Sequence, residues 1–413
     1  MAVRTLVIVD ELPYPVLNGG SIRIHSIVRG LAQLGDVDVF ALRPPDGAAD
    51  IPLPSDGSVC RATVAPRPSY RGRSYSRWVR SELPYELVSV DYSGTRECMR
   101  RWMASTYDLI YFRPVTLQLV LGDLVHAPVI VDMDDLKSDL LAATLRNVGS
   151  AFGPSSVGGG KLSGWIRGNV WSARMHIDVG RWRRLERKEA RVARVVFVAS
   201  EFHRRRLGAG NAVVVPNAYP PPPSARGVID TDRTPTISFI GTLTWPPNRD
   251  AVERLVTAIL PMIRNHFPHT ELRLVGSADD GIARWARHPG VTVTGRVRSV
   301  DDELSRADLV VVPIRFAGGT RIKILEAFAH FVPVVSSTVG CEGLDVVPNQ
   351  HLLIADSDEE LVAACVRLLS DVALRRDMVR QARELFDSRY SSDQVEGLVS
   401  AAASDAMASG RDR

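Results

Sequence analysis

Two α/β domains in tandem, each a doubly wound parallel sheet, are what this sequence predicts. Three observations carry the expectation. Short apolar runs alternate with helix-periodic segments from residue 5 to residue 215. A proline-rich stretch, PNAYPPPP at 216–223, then breaks the pattern. A second strand–helix alternation fills residues 236–390.

Taken in order, residues 5–9 (TLVIV) are apolar from Leu6 on, as a strand buried on both faces requires. Residues 20–34 place Ile22, Ile27, Leu31 and Leu34 at helical spacing and stop at Gly35. Residues 37–41 form a second strand. Residues 43–72, rich in Pro and Gly, read as loop. Short strands follow at 109–112, 129–131, 195–199 and 213–215. The proline run is too stiff and too poor in N–H donors for an element interior. It divides the chain into a first domain, 1–222, a linker, 223–234, a second domain, 235–390, and a helical tail, 391–413.

The 413 residues allow two or three domains, and 45% hydrophobic content is that of an ordinary globular chain. No apolar run reaches the ~18 residues that a membrane span needs. The first apolar run passes at once into Asp10, Glu11 and prolines, so it reads as a core strand rather than a leader. Cys60, Cys98, Cys341 and Cys365 are scattered without CxxC spacing, which argues against zinc or a disulfide framework and fits a reducing cytoplasm. Charge is uneven. Residues 161–206 hold thirteen Lys/Arg against four Asp/Glu, a stripe that suits an anionic partner. Trp165, Trp171 and Trp182 lie in or beside it. They fit an acceptor loop or peripheral membrane contact through 161–206, and equally a helix whose tryptophans face the core. The aromatic–basic interleaving on strands that single-strand binders use is missing, so no nucleic acid is expected.

The most informative stretch is 315–343, RFAGGTRIKILEAFAHFVPVVSSTVGCEG. A Gly318-Gly319-Thr320 turn opens a short helix at 321–330. Helix starts offer unpaired N–H groups and a positive dipole end, and glycines let a phosphate approach the backbone. Arg321 and Lys323 add full charges, and Glu326 supplies one carboxylate. The pattern reads as a diphosphate cradle. Thr320 as a simple N-cap, with Lys323 and Glu326 as a surface ion pair, accounts for the same residues.

This segment resembles the donor-site motif of the family-four retaining glycosyltransferases, which have the GT-B fold: two Rossmann-like domains facing across a cleft. Residues 239–243 (FIGTL) with 245–248 (WPPN), 272–276 (LRLVG), 291–297 (VTVTGRV) and 307–313 (ADLVVVP) resemble that family's successive strands and loops in the same order. The resemblance implies that Arg321 and Lys323 stabilise the leaving diphosphate and that Glu326 meets the nucleotide ribose. It places Gly318, Gly319, Thr320, Thr242 and Asn248 at the donor, and the base against Arg296 and Val297. The family's first glutamate of its Glu-x7-Glu pair is replaced here by Gly318. The family's acceptor-side histidine is absent, and Arg113 stands in that loop.

In the first domain, Gly19 and Gly20 with Ser21 resemble the family's glycine-rich loop facing the donor diphosphate, although Ser21 as an N-cap explains them too. Arg23, Arg113, Asp134 and Asp135 are then the expected acceptor contacts, with Arg113 suited to an acidic or phosphorylated group. Asp132, Asp134 and Asp135 also spell the Asp-x-Asp metal signature of the GT-A architecture, and Asp135 could cap the helix after it. The implied activity is metal-independent transfer from a nucleotide-diphospho sugar to an acceptor hydroxyl with retention, without a cofactor. The implied partners are that donor and a glycan, lipid-linked or small-molecule acceptor, in the cytoplasm or at the inner face of its membrane. A GT-B sugar-nucleotide 2-epimerase and a non-catalytic nucleotide-sugar-binding protein share the same motifs.

Overall fold

The computed structural model describes residues 3–16, 18–42, 54, 56–72, 75–104, 106–151, 161–222, 234–316 and 321–408, with side chains except at 147–151 and 161–169. The chain forms two compact units. The first is built from residues up to Arg146, the long helix through Ala218, and the segment from Ser392 on; the second is Tyr219–Ser391 together with a short stretch that begins at Asn147.

The first unit carries β1 (Val3–Val9), β2 (Gly35–Leu42), β3 (Arg61–Ala65), a two-residue pair β4 (Ser69–Tyr70) and β5 (Val90–Asp91), then β6 (Leu109–Arg113), β7 (Val129–Asp132), β8 (Val195–Val198) and β9 (Ala212–Val214). Apart from β4 and β5, which pair antiparallel with each other, all are parallel in the order β3-β2-β1-β6-β7-β8-β9. The apolar run of β1 is explained by its position. Val7 and Val9 face one layer with Ile24, Ile27, Val28 and Leu31, while Leu6 and Ile8 face the other with Leu117, Leu121 and Trp182. Successive strand residues point to opposite faces, so burial on both sides favours apolar residues at consecutive positions.

The stretch 43–72, expected as loop, contains β3. Its residues pair with β2 from Asp38↔Arg61 to Leu42↔Ala65. An edge strand that is only half-buried needs little apolar content, so its sequence (RATVA) gives no strong period. The change of unit falls at Ala218 and Tyr219, inside the proline-rich stretch 216–223. Most of the expected linker, residues 223–233, lies outside the described residues.

The helix Ser392–Ala408 closes the first unit. Val395, Val399, Ala402, Ala403 and Ala406 join the layer formed by the helix Gly19–Ala32. Gly30 permits this approach: a Cβ there would meet the Glu396 carbonyl oxygen and Val399 Cβ at 2.7 Å. Arg29 Nε donates to Glu396 at 2.9 Å beside it.

In the long helix Lys161–Val192, Trp182 is 1% exposed and belongs to the core, Trp171 is half-buried, and Trp165 carries no described side chain. Several arginines of the basic stretch are engaged within the unit. Arg174 stacks on Tyr85, Arg181 stacks on Trp78 and donates to the carbonyls of Trp78 and Leu83, and Arg206 pairs with Asp139. No helix among the described residues is long and apolar enough to cross a membrane.

The second unit is a six-stranded parallel sheet of β10 (Thr236–Ile240), β11 (Glu271–Val275), β12 (Val291–Gly295), β13 (Leu309–Val312), β14 (Val334–Ser336) and β15 (Leu353–Ile354), in the order β12-β11-β10-β13-β14-β15. In each sheet the strand order reverses beside the first strand, between β1 and β6 and between β10 and β13. Loops leaving the carboxyl ends of the strands diverge at such points, and ligands bind there in open α/β sheets.

Candidate functional site

In the second unit, β10 ends at Ile240 and passes into Gly241 at φ 142°. The loop leads to the helix Pro246–Arg254, which starts with two prolines, where missing N–H groups cost nothing. Asn248, in its first turn, is 4% exposed. Its Nδ2 donates to the Thr242 carbonyl at 2.8 Å, and its Oδ1 accepts from Lys323 Nζ at 2.8 Å. The ammonium also lies 4.0 Å from the centre of the Phe239 ring. A side chain at 241 would fill this space, since its Cβ would lie 3.1 Å from both Lys323 Nζ and Asn248 Nδ2.

Lys323 comes from the helix Ile322–Ala329, which follows β13 across the reversal point. Ile324, Leu325, Ala327, Phe328 and Ala329 anchor it in the core. Arg321 is its N-cap and is 5% exposed; Lys323 is 9% exposed. Two cations at a helix start oppose the dipole. Among the described residues no carboxylate comes within ion-pair distance of Lys323. Burial, then the charge of Arg321, push its amine down to about 7, against the weaker pull of Glu326. Glu326, one turn later and half-buried, is pushed up to about 7 by burial, with Lys323 opposing and Asp301 adding to the rise. Gly318, Gly319 and Thr320 lie outside the described residues. Arg296, exposed, and Val297, half-buried, follow β12 after Gly295, whose φ of 69° suits glycine. Thr242 is exposed and contributes a carbonyl to Asn248. Asn248 therefore holds Lys323 in place and has both ends of its amide engaged by protein.

The reversal point of the first unit collects charge. The register sets Val9 beside Arg113, so Asp10 and Glu11 emerge next to that arginine. Arg113, 13% exposed in its side chain, lies 3.1 Å from Asp134 and 3.3 Å from both Asp10 and Glu11. Burial pushes Asp10 up to about 6, opposed by Arg113 and reinforced by Glu11 and Asp134. Asp134 stands lower than usual: burial raises it, but Arg113 and Arg23 outweigh that. Three carboxylates around one guanidinium leave this cluster net negative. The expectation of an acidic or phosphorylated acceptor at Arg113 is thus opposed by the local field.

Arg23 requires a correction of the same kind. It is 2% exposed and forms a bidentate pair with Asp132, at 2.7 Å from Nε and from Nη2. Its Nη1 donates to the Val215 carbonyl and to Asn217 Oδ1. The guanidinium faces inward and offers nothing to an acceptor, and Asp132, which also accepts from the Tyr111 hydroxyl, is neutralised by it. Asp135 is exposed just ahead of the helix Lys137–Ala151. Gly19 and Gly20 open the helix Gly19–Ala32, but its cap is Asn18, in a reciprocal capping box with Ser21. Glu11 packs against Gly20, where an added Cβ would meet Oε1 at 1.7 Å. The carboxylate nearest this helix start is the protein's own.

Sequence reasoning passed over Asp10, Glu11 and Asp301. For the first two a signal was present: acids directly after a buried parallel strand stand at its carboxyl end. No three His, Cys, Asp or Glu side chains group as a metal site among the described residues.

A pair of parallel doubly wound sheets of this kind is the architecture of the GT-B glycosyltransferases, and whole-chain comparison bears this out. Sucrose-phosphate synthase from Thermosynechococcus elongatus superposes with a TM-score of 0.71 at 18% identity, covering 98% of this chain and 100% of that one. The Anabaena protein HepE, in complex with UDP and glucose, gives 0.61 at 14% identity, covering 97% and 99%. At these identities the likeness is one of fold.

The sequence comparison is narrower. Residues 234–371 match the family described as Glycosyl transferases group 1. Phosphatidyl-myo-inositol mannosyltransferase of Propionibacterium freudenreichii subsp. shermanii is 32% identical over 160 residues, 38% of this chain and 37% of that protein. An uncharacterised 44.6 kDa protein from the cps region of Klebsiella pneumoniae is 21% identical over 168 residues, 38% of this chain and 43% of that protein. The chain thus spans less than half the length of these curated relatives.

Proposed function

We propose that the protein transfers a sugar from a nucleotide-diphospho sugar to an acceptor hydroxyl, with retention at the anomeric carbon and without a metal. The observation that carries this is the buried Lys323 ammonium. It stands beside Arg321 at a helix start, at the reversal point of a parallel sheet, with an amide rather than a carboxylate for a partner. A diphosphate supplies the missing countercharge. The match of residues 234–371 to a glycosyltransferase family supports the same ligand class.

In this reading the acceptor hydroxyl attacks C1 on the face that the diphosphate leaves. The C1–O bond to the diphosphate breaks, and a phosphate oxygen takes the hydroxyl proton. Arg321 and Lys323 act by stabilising the charge that develops on the leaving oxygen. Glu326 receives sugar hydroxyls of the nucleotide. The acidic cluster of Asp10, Glu11 and Asp134 favours a neutral, hydroxyl-bearing acceptor at the first unit's reversal point.

The test is a thermal-shift screen of UDP-, GDP- and ADP-sugars, followed by acceptor trials with the best donor in the presence and absence of EDTA. Incubation with donor alone separates transfer from 2-epimerisation. We expect stabilisation by one nucleotide class and EDTA-resistant transfer with retention. No stabilisation by any nucleotide sugar overturns the donor site, and full loss of activity in EDTA overturns metal independence.

A further inference from the structure

We infer that His330, paired with Asp301, is a positioning residue for Glu326, and that its ring holds this place by donating from both nitrogens. The inference rests on the reading of Glu326 as a donor contact.

His330 follows the helix Ile322–Ala329 as its C-cap and is 5% exposed. Its Nδ1 lies 2.8 Å from the carbonyl oxygen of Glu326, and its Nε2 lies 2.8 Å from Asp301 Oδ1. A carbonyl oxygen and a carboxylate are both acceptors. With Asp301 ionised, both bonds exist together only when both ring nitrogens carry a proton. A cation at the carboxyl end of a helix is favoured by the dipole, the reverse of the situation of Lys323 at the other end. The His330 amide donates to the same Glu326 oxygen at 3.1 Å, so ring and backbone together hold that carbonyl. The Tyr219 ring, 6.1 Å away between centres and itself 8% exposed, covers the imidazole. Asp301 is the charged partner at the ring, Tyr219 and Glu326 lie beside it, and Arg383, on the helix Val372–Arg389, donates to the neighbouring Ala329 carbonyl.

Asp301 opens the helix Asp301–Arg306, a few residues beyond Arg296 and Val297. The Asp301–His330 pair therefore ties the loop proposed to meet the base to the helix turn that carries Glu326. Neither residue touches the donor; they fix the separation of two groups that do. Displacement of a binding group by about 1 Å is enough to change rates or affinities by up to about a hundredfold.

The experiment compares wild type with Asp301→Asn, His330→Phe and the double variant in the full chain. It measures donor KM and kcat, nucleotide affinity, melting temperature and the 15N spectrum of the ring. We expect two protonated ring nitrogens in wild type and one in Asp301→Asn. Each single variant should raise donor KM about tenfold or more with kcat nearly unchanged. The double variant should be no worse than the poorer single one, and Asp301→Glu should recover part of the loss. A singly protonated ring in wild type overturns the inference, as does a lowered melting temperature with unchanged donor KM. If wild type binds no nucleotide sugar, the transfer reading fails by itself. The clamp is then judged by the ring spectrum, where loss of the second proton in Asp301→Asn is still required.

Discussion

Replacing Lys323 by Met should make the unliganded protein more stable at neutral pH while abolishing donor binding. Met is unbranched and of similar length, so the packing changes little. The amine titrates at 10.5 in an ordinary environment and at about 7 here. At ~1.4 kcal/mol per tenfold, that gap is a penalty of ~5 kcal/mol for holding the charge, ~4 of it present at pH 7. The sign follows from proton binding. Between about 7 and 10.5 the unfolded chain binds the proton more than the folded one, so wild-type stability rises with pH across that window. Below it the whole penalty stands, and above it the penalty disappears.

Met removes this penalty but leaves Asn248 Oδ1 without its donor, a cost of ~1–3 kcal/mol; the attraction of the charge to the Phe239 ring acts on the same protonated form and is not a separate loss. The variant should exceed wild type by ~1–3 kcal/mol at pH 7 and fall to parity or up to ~2 kcal/mol below it at pH 10, a swing of ~3 kcal/mol. Urea unfolding of both proteins at pH 7 and pH 10, without ligand, reads this directly. A difference that stays constant across that range refutes the buried, uncompensated charge. The same preparations titrated with the best nucleotide should show ligand stabilisation in wild type alone.

Three further outcomes follow from the geometry. Arg23→Ala should cost ~3–5 kcal/mol in urea unfolding, because it strands the buried Asp132 carboxylate; Arg23→Lys should rescue little, since an ammonium cannot reproduce the planar fork that reaches both carboxylate oxygens. Gly30→Ala should destabilise by ~1–3 kcal/mol through overpacking against Glu396 and Val399, whereas Gly397→Ala, where an added Cβ meets nothing within 4 Å, should be neutral or stabilising by up to ~1 kcal/mol. Phe331→Gly should change stability by less than ~1 kcal/mol, because release of a positive φ worth ~1–2 kcal/mol is offset by loss of a ~0.5–1 kcal/mol stack under Arg383; calorimetric melting checks it, and Phe331 has φ 56° with the Arg383 guanidinium 4.9 Å from its ring centre.

What could be read from residues alone depended on how local the physics is. The strand at residues 5–9 was legible because burial on both faces leaves an apolar run from Leu6 on. The helix bearing Lys323 and Glu326 was legible from its stripe and its two leading cations. The edge strand β3 was not, since its order comes from β2 rather than from its own composition. Arg23 and Arg113 were placed at the right strand ends, but their partners are 109 and 21 residues away for Asp132 and Asp134. No short window tells an inward guanidinium from one offered to a ligand. Trp182 shows the same limit: among exposed arginines its burial is set by the sheet beneath it. His330 left no trace, because its significance lies in two acceptors, one of them 29 residues earlier in the chain.

The helix Ser392–Ala408 sets a condition on how the molecule is made. The layer of Ile24, Ile27, Val28 and Leu31 is not fully covered until Val395 and Val399 arrive, after all of Tyr219–Ser391 has been synthesised. During translation the first sheet waits with an apolar face open while Tyr219–Ser391 is made. A fragment ending at Ala218 should therefore be prone to aggregate unless residues 392–408 are supplied in trans or fused ahead of Val3.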